Sequence, residues 1–312
     1  MSDTDRAWLD ELIARARDMD GVPPFSDGSL LGLASGEREL VRRTDAAALV
    51  SPTEAEFVVD PPARQHGIGR ALLHDLLVAA PGDLLVWSHG DHTAARALAA
   101  TFGLEPVRRL LQLRGSTGEV SIRPAAYSTT GGEVSIRPAA YSTTGGEVSI
   151  RPAAYSTTGG PAAYSTTGDW RDAWVTLNAR AFAEHPEQGQ VTRADLDELT
   201  RESWFDESDV LLARADDELV GYCWLKVDGG SGEIYVVGVA PEWRGRGMGR
   251  RLVEAGLARL NGAGIHEVSL YVEGDNLPAL ALYHSLGFRE HSVDIQYRWR
   301  STPDDPVIEP RA

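Results

Sequence analysis

The stretch from Gly232 to Arg251 constrains this chain more than any other, because it joins a strand, a glycine-rich turn and a helix. An apolar β-prone run ends before Pro241, and leucines and valines at helical spacing follow the turn. Three alternate glycines of the turn leave backbone N–H groups bare, and the helix N-terminus adds a dipole that favours an anion. Three arginines of the turn add positive charge. The segment therefore predicts a phosphate-binding loop.

The order of arginine and glycine in this loop is specific. Arg244-x-x-Gly247-x-Gly249, directly after Val-Val-Gly-Val, resembles the pyrophosphate-binding loop of the GCN5-related N-acetyltransferases, the GNAT superfamily. The resemblance implies that acetyl-CoA is the co-substrate. It also implies a binding site built from the strand, the loop and a later helix. The residues expected there are Val237, Gly238, Val239, Arg244, Gly245, Arg246, Gly247, Met248, Gly249, Arg250, Asn276, Leu277, Pro278, Ala279, Leu280 and Ala281.

The same pattern occurs a second time near the N-terminus. A β-prone run ends before Pro61, and Arg64-x-x-Gly67-x-Gly69 follows it. Residues 91–104 then align with residues 275–288, each ending in Gly followed by an apolar residue. Two matches in register indicate two tandem acetyltransferase domains, and the first is expected to bind a second acetyl-CoA. Its expected contacts are Phe57, Val58, Val59, Arg64, Gln65, Gly67, Gly69 and Arg70.

The order of predicted elements indicates an α/β (mixed α+β) fold. Each domain is expected to be a mixed, largely antiparallel sheet flanked by helices. We expect an N-terminal domain over residues 1–117, a linker over 118–168, a catalytic domain over 169–302 and a disordered tail over 303–312. In the second domain, the last predicted strand runs from Val293 to Trp299.

The linker is a perfect tandem repeat of 14 residues that starts at Gly118, Gly132 and Gly146, followed by a truncated copy. The period is too short for a helical solenoid. We expect a flexible insertion without chemistry of its own; a short stack of β-strands is the alternative. One Val-Ser-Ile-Arg segment is expected to supply the first strand of the second domain, and the copy starting at Gly146 leaves the shortest connection.

Composition narrows the partners and the compartment. The net charge of −16 argues against nucleic acid, and no apolar run is long enough to span a bilayer. The single cysteine, Cys223, excludes an intramolecular disulfide, which fits a reducing cytoplasm. His185 has no His or Cys partner at metal-ligand spacing, so no metal is expected. We expect a cytoplasmic monomer that acts on a small-molecule amine, without a membrane partner.

Acetyl transfer to an amine requires a base for the ammonium and an acid for the leaving thiolate. Glu233 lies at the start of the strand that leads to the loop and is the candidate base. Tyr283 follows Asn276 by two helical turns and is the candidate acid. The alternatives are a solvated strand end for Glu233 and core packing for Tyr283.

The second domain resembles one tandem-domain member of the superfamily more closely. The resemblance rests on His185-Pro-Glu-Gln-Gly189, Trp204-Phe-Asp206, Trp224-Leu-Lys226 and Leu270-Tyr-Val-Glu-Gly-Asp-Asn276. That member acetylates the cysteinyl amine of a cysteinyl-glucosamine-inositol pseudodisaccharide. The resemblance implies acceptor contacts from Asp27, Glu187, Lys226, Glu233 and Tyr271. Lys226 is the only lysine of the chain, and a solvated surface charge is its alternative role.

The first domain keeps the loop but lacks the catalytic pair. Aligned on the prolines, Thr53 stands where the second copy has Glu233, and Ala99 stands where it has Tyr283. The first domain is therefore expected to bind acetyl-CoA without turnover. Two other functions stay open for the whole chain: acetylation of a protein N-terminus or another small amine, and a non-catalytic acyl-CoA sensor.

Overall fold

The computed structural model describes residues 2–118, 148–153, 170–185, 188–215 and 218–301. The chain forms two compact units. Unit 1 comprises Met1–Gln112, Val272–Asn276 and Glu290–Ala312, and unit 2 comprises Leu113–Tyr271 and Leu277–Arg289.

The described elements follow one another in this order: α1 (Asp3–Asp20), α2 (Asp27–Ser35), β1 (Glu39–Arg42), β2 (Ala46–Val50), β3 (Glu54–Val59), α3 (Ile68–Ala79), β4 (Leu84–Ser88), α4 (Thr93–Phe102), β5 (Glu105–Ser116), β6 (Val148–Pro152), α5 (Trp170–Ala181), α6 (Arg193–Leu199), β7 (Val210–Ala215), β8 (Glu218–Asp228), β9 (Ser231–Val239), α7 (Met248–Gly262), β10 (Glu267–Glu273), α8 (Leu277–Ser285) and β11 (Arg289–Trp299). Short 3₁₀ turns lie at Pro61–Ala63, Gln188–Gln190, Glu207–Asp209 and Pro241–Trp243.

Unit 1 is a mixed sheet with helices on both faces, in the strand order β1-β2-β3-β4-β11-β5. The pair β3–β4 is parallel, and the pairs β1–β2, β2–β3 and β4–β11 are antiparallel. Alternate residues of β2 face opposite sides, so Ala46 and Ala48 pack with α3 while Ala47 and Leu49 pack with α1. All four side chains are fully buried because both faces are covered.

Unit 2 repeats this plan in the order β10-β9-β8-β7-β6. Here β9–β10 is the parallel pair, and β6–β7, β7–β8 and β8–β9 are antiparallel. One face carries an aromatic core that includes Trp174, Tyr222 and Trp224. The other packs against α7, whose Leu252 and Leu260 fit over Gly221 and Gly232. The expected mixed, largely antiparallel α/β architecture is confirmed.

The last strand of the chain, β11, belongs to unit 1, whereas the predicted boundaries placed it in the second domain. The predicted domain over residues 169–302 included this strand, whereas β11 pairs with β4 from Ile295↔Ser88 to Trp299↔Leu84. Ile295 and Tyr297 are buried in the core of unit 1. Apolar alternation predicts a strand but carries no information about its neighbour, which explains the difference.

The repeat copy that starts at Gly146 contributes β6. Val148–Pro152 pairs antiparallel with β7, from Val148↔Ala215 to Pro152↔Leu211, and Ile150 is buried. The other two full copies lie outside the described residues, as does the predicted tail. Within the described ranges, each helix is too short or too polar to cross a membrane.

Candidate active site

The parallel strands of unit 2 are paired along only part of their length. β9 pairs with β10 at Gly232–Ile234, and its later residues take their described pairs from β8. A bulge at Tyr235 shifts the register between β8 and β9 at this point. Bulges bend a strand and end regular pairing, so the backbone of Val237–Val239 is left to bind a ligand on its β10 side. Val237–Val239 are among the residues that the sequence assigned to the acetyl-CoA site.

The parallel strands of unit 1 are also paired along only part of their length. The described pairs of β3 with β4 lie at Glu54–Glu56, whereas its pairing with β2 runs from Ala55 to Val59 without a bulge. A cavity of about 680 Å³ opens beside these residues, and the Arg64–Gly69 loop and α4 also line it. Its volume is that of a site for a cofactor-sized ligand. The residues assigned to a second acetyl-CoA from the sequence therefore lie together.

The two loops present helix N-termini without side-chain caps. Gly247 precedes α7 at φ 76°, Gly67 precedes α3 at φ 80°, and neither helix has an N-cap side-chain hydrogen bond. Gly245 adopts φ 72°, and its counterpart Gln65 adopts φ 64° although it is not glycine. A left-handed non-glycine residue costs about 1–2 kcal/mol, which marks Gln65 as constrained by the loop. Bare N–H groups at a helix start suit a pyrophosphate.

The first arginine of each loop turns towards a helix of its own unit. Arg64 forms a bidentate ion pair with Asp20 at 2.6 and 2.7 Å and also donates to the carbonyl of Val59. Arg244 donates to the carbonyl of Ala181, the last residue of α5. These guanidinium groups hold the loop in place, so their contribution to phosphate binding is indirect.

The other two arginines of the unit 2 loop lie on its surface. Arg246 stacks over the ring of Trp243, with 5.4 Å to the centroid. Arg250 donates to Glu254 and to Ser285. Met248 is buried, and Gly249 leaves room for Leu282 of α8. The Met248 side chain is therefore part of the core, and a contact of this residue with a phosphate has to come from its backbone N–H at the start of α7.

The beginning of α8 is open to a ligand. Residues 276–278 and 281 are exposed, whereas residues 279 and 280 are half-buried. The backbone N–H of Asn276 donates to the carbonyl of Glu273. The helix starts at Leu277, so an accessible helix N-terminus lies where the sequence assigned cofactor contacts.

Three of the predicted acceptor residues share one face of the sheet. Lys226 lies opposite Glu233 on the antiparallel strands, and Ser269 lies opposite Glu233 on the parallel side. Tyr271 lies two residues beyond Ser269 and therefore faces the same way. Its side chain is 38% exposed, while Glu233 and Lys226 are half-buried.

Tyr283 lies on the opposite face, close to Cys223. Burial and, to a smaller extent, the neighbouring Cys223 raise the pKa of the Tyr283 phenol well above its usual value. Cys223 is opposite Val237 on the α7 face, and burial raises the pKa of its thiol to about 12. A phenol with a raised pKa stays protonated, as an acid for a leaving thiolate must. The buried thiol does not act as a nucleophile.

The described part of unit 2 does not include the other two predicted acceptor residues. Glu187 lies outside the described residues. Asp27 is the exposed first residue of α2 in unit 1. Both remain predictions. In the described ranges, His, Cys, Asp and Glu side chains form no group of three suited to a metal.

Sequence reasoning missed a buried ionic triad in unit 1. His89 lies between Asp294, 3.0 Å from its Nδ1, and Glu56, 3.4 Å from its Nε2. Burial lowers the pKa of His89, but both carboxylates outweigh burial and raise it to about 10. Burial raises the pKa of Glu56, but the His89 contact and the Ser29 and Ser26 hydrogen bonds lower it to about 2. The partners are far apart in sequence, so no local motif reveals them.

Fold and site together define the class of protein: an acetyltransferase with a splayed parallel strand pair and a glycine-rich loop at a helix N-terminus, present twice. Residues 172–288 match the model of the acetyltransferase (GNAT) family. A tandem GNAT protein from the clavulanic acid biosynthesis pathway, solved without acetyl-CoA, aligns with a TM-score of 0.63 at 18% identity, over 96% of this chain and 95% of that one. A GCN5-related N-acetyltransferase from Sphaerobacter thermophilus aligns with a TM-score of 0.59 at 21% identity, over 93% and 90%.

Curated relatives define the family more narrowly. The mycothiol acetyltransferase of Clavibacter michiganensis is 48% identical over 92% of this chain and 89% of its own length. That of Kocuria rhizophila is 38% identical over 93% of this chain and 95% of its own length. This chain belongs to the mycothiol acetyltransferase family and is an acetyl-CoA-dependent N-acetyltransferase.

Proposed function

We propose that this chain acetylates the cysteinyl amine of cysteinyl-glucosamine-inositol, giving mycothiol, with its active site in unit 2. The observation that carries the proposal is the placement of Glu233 opposite Lys226, in the part of β9 that is still paired with β10 before the two strands separate. The names of the relatives support the same acceptor.

The residues divide the chemistry between the two faces of β9. Acetyl-CoA supplies a thioester, whose C–S bond breaks as the amine nitrogen forms the new C–N bond. Glu233 accepts the proton that the amine loses, directly or through water. Tyr283, on the other face, donates a proton to the departing thiolate. The backbone N–H groups of Val237–Val239 polarise the carbonyl oxygen.

The sheet face that carries Lys226, Glu233 and Tyr271, here called the acceptor face, also suits a polyhydroxylated substrate. Lys226 offers three N–H donors beside Glu233, and Tyr271 offers an exposed phenol on the same face. We propose that these two side chains bind the sugar and cyclitol hydroxyls. Asp27 and Glu187 are proposed as further acceptor contacts from their place in the sequence.

Unit 1 is proposed to bind a second acetyl-CoA without turning it over. The cavity beside Phe57–Val59 and the uncapped start of α3 support binding. Ala99 at the position of the candidate acid supports the lack of turnover. β3 lacks the bulge of β9, so the register puts Glu54, and not Thr53 as counting from the proline gave, at the place of Glu233; Glu54 is ion-paired with Arg38. We further propose that the protein is a cytoplasmic monomer.

Thiol release from acetyl-CoA tests the acceptor. Cysteinyl-glucosamine-inositol, cysteine methyl ester and peptides with a free N-terminus are compared as acceptors. We expect the highest kcat/KM with the pseudodisaccharide. Turnover of peptides alone would favour a protein N-terminal acetyltransferase, and no thiol release with any amine would favour an acyl-CoA sensor.

A matched pair of glycine variants tests the two cofactor sites. Gly247→Val and Gly67→Val place the same side chain at φ 76° and 80°, where a Cβ meets no protein atom within 4 Å. Backbone strain is therefore similar in both. We expect Gly247→Val to abolish turnover and Gly67→Val to remove one equivalent of bound CoA in calorimetry. An inactive, folded Gly67→Val protein beside an active Gly247→Val protein would overturn the assignment.

A further inference from the structure

Trp204 lies on the acceptor face without a role in the chemistry described above. It belongs to the segment between α6 and β7, and its ring packs against Tyr235 with centroids 5.3 Å apart. Tyr235 is the bulge residue of β9, two positions after Glu233. The indole ring therefore contacts the part of β9 where the strands separate.

The same ring lies beneath the only lysine of the chain. The Nζ atom of Lys226 is 5.2 Å from the centroid of the Trp204 ring, within the range of a cation–π interaction. A lysine side chain has four rotatable bonds and loses considerable entropy when it is held in one position. The aromatic face attracts the ammonium and restricts it to the vicinity of Glu233.

We propose that Trp204 is a positioning residue for acceptor recognition: it holds the Lys226 ammonium where it binds the hydroxyl groups of the acceptor's ring. The inference rests on the proposed function of this face and deepens it. Trp204 acts through Lys226, so its effect depends on the presence of both the lysine and a hydroxylated acceptor.

The cluster around Trp204 offers a matched control. Phe205, its neighbour in sequence, packs edge-on against Trp224, with centroids 5.7 Å apart. Trp204 also packs against Trp224, at 6.1 Å. Phe205→Leu and Trp204→Leu therefore both loosen the same aromatic core. Only Trp204→Leu removes the ring beneath Lys226.

Steady-state kinetics on the full chain tests the dependence on Lys226. A double-mutant cycle of Trp204→Leu and Lys226→Met is measured with cysteinyl-glucosamine-inositol and with cysteine methyl ester. We expect Trp204→Leu to raise KM for the pseudodisaccharide by about 3- to 10-fold, in line with the strength of a cation–π contact. We expect Trp204→Leu to stay within twofold of wild type in kcat, in the Kd for acetyl-CoA and in the KM for cysteine methyl ester.

The cycle separates positioning from packing. In the Lys226→Met background, Trp204→Leu should change KM by less than twofold, and Phe205→Leu should leave KM unchanged in either background. An equal effect of Trp204→Leu with and without Lys226 would overturn the proposal. So would an equal effect on both acceptors, or a KM effect of Phe205→Leu as large as that of Trp204→Leu.

A spectroscopic readout tests the contact without any turnover. Because the chain has a single lysine, labelling with ¹³Cε-lysine gives one side-chain signal. The ring current of Trp204 should shift the Lys226 ε-proton resonance upfield, and Trp204→Leu should abolish the shift while Phe205→Leu keeps it. An unshifted signal in wild type would refute the contact. Failure of the proposed function looks different: the ring-current shift persists while the pseudodisaccharide is not turned over.

Discussion

The phenol oxygen of Tyr222 lies 2.6 Å from Oδ1 of Asn178 and donates a hydrogen bond to it, and both side chains are fully buried. Asn178 on α5 also donates from Nδ2 to the carbonyl oxygen of Gln188. The Tyr222 ring packs so closely on Gly238 that a Cβ there would lie 2.4 Å from Cε1. One buried phenol therefore fixes the cofactor strand relative to α5 and the turn at Gln188–Gln190.

Gly238→Ala should weaken acetyl-CoA binding. The added methyl group meets the Tyr222 ring, which Asn178 and Trp174 hold in place, so the backbone of β9 has to move. We expect the acetyl-CoA Kd, measured by calorimetry, to rise by about 5- to 150-fold, since overpacking a rigid core typically costs about 1–3 kcal/mol. Wild-type affinity in a folded Gly238→Ala protein would show that the ring yields instead.

Tyr222→Phe is the companion variant. It keeps the ring against Gly238 and removes only the hydrogen bond to Asn178. Oδ1 of Asn178 still accepts from Nε2 of Gln188 at 3.2 Å, so the cost in unfolding free energy should be about 1 kcal/mol. We expect an unchanged acetyl-CoA Kd.

Glu233→Gln should lower turnover without affecting acetyl-CoA binding. General-base catalysis typically contributes about 10²–10⁴-fold to the rate. The loss of turnover relative to wild type should be largest at low pH. It should become smaller above about pH 8, where a free α-amine loses its proton without a base. Glu267→Gln, at the exposed start of β10, is the control and should keep wild-type kcat. Wild-type turnover of Glu233→Gln across pH 6 to 8 would remove Glu233 as the base.

Tyr283→Phe should lower kcat about tenfold or more, while the ring keeps its packing on Phe288 at 5.9 Å. Burial raises the pKa of the phenol, so the acid remains protonated beyond its ordinary range. Wild-type kcat should therefore show no decline near pH 10, where a solvent-exposed tyrosine ionises. An unchanged kcat in Tyr283→Phe would show that the thiolate leaves unprotonated.

Local patterns in the sequence predicted the elements and both glycine loops. The β-prone run expected to end before Pro241 is β9, which ends at Val239, and the later helix expected to carry Tyr283 is α8. These succeed because a strand, its terminating proline and the following helix are encoded within about 20 residues. The place of Glu233 on β9 follows from the same local pattern, and its role as the base stays a prediction.

Contacts between distant segments could not be predicted in this way. Tyr222 and Asn178 look like ordinary strand and helix residues, and only tertiary packing joins them. The arginines of the two loops were expected at the phosphate, but Arg64 and Arg244 bind Asp20 and Ala181 in helices encoded some 40–60 residues earlier. The position of β11 beside β4 likewise depends on pairing that no local pattern specifies.

The identical repeat copies should be able to replace one another as β6. Ile150 is 2% exposed in β6, and the same Val-Ser-Ile-Arg sequence contains Ile122 and Ile136 in the other copies. Ile150→Ala alone should cost little, because another copy can pair with β7 and a longer loop costs only about 0.6 kcal/mol per doubling. The triple variant should lose about 2–5 kcal/mol of unfolding free energy.

Urea unfolding of three variants checks the exchange. The double variant at Ile122 and Ile136 leaves β6 intact and serves as the control, with wild-type stability expected. A loss in Ile150→Ala as large as in the triple variant would show that only the Gly146 copy can form this strand.

The triad of Glu56, His89 and Asp294 should make the attachment of β11 depend on pH. His89 has a folded pKa of about 10 against an ordinary 6.5, so its stabilisation is complete below about pH 6.5 and lost as pH rises towards 10. Glu56 has a folded pKa of about 2, compared with an ordinary value of 4.5. Its contribution to stability is therefore complete above about pH 4.5 and is lost as pH falls towards 2. Stability should therefore be greatest between about pH 4.5 and 6.5.

Hydrogen exchange of β11 measures this dependence locally, after correction for the intrinsic exchange rate. Above pH 6.5 we expect the opening free energy of β11 to fall by at most about 1.4 kcal/mol per pH unit, the slope for one proton. His89→Gln should remove this alkaline slope, because glutamine does not titrate. His66→Gln alters an exposed histidine of the same unit and should keep the slope. If the alkaline slope persists in His89→Gln, another group is responsible and the imidazolium does not hold the strand.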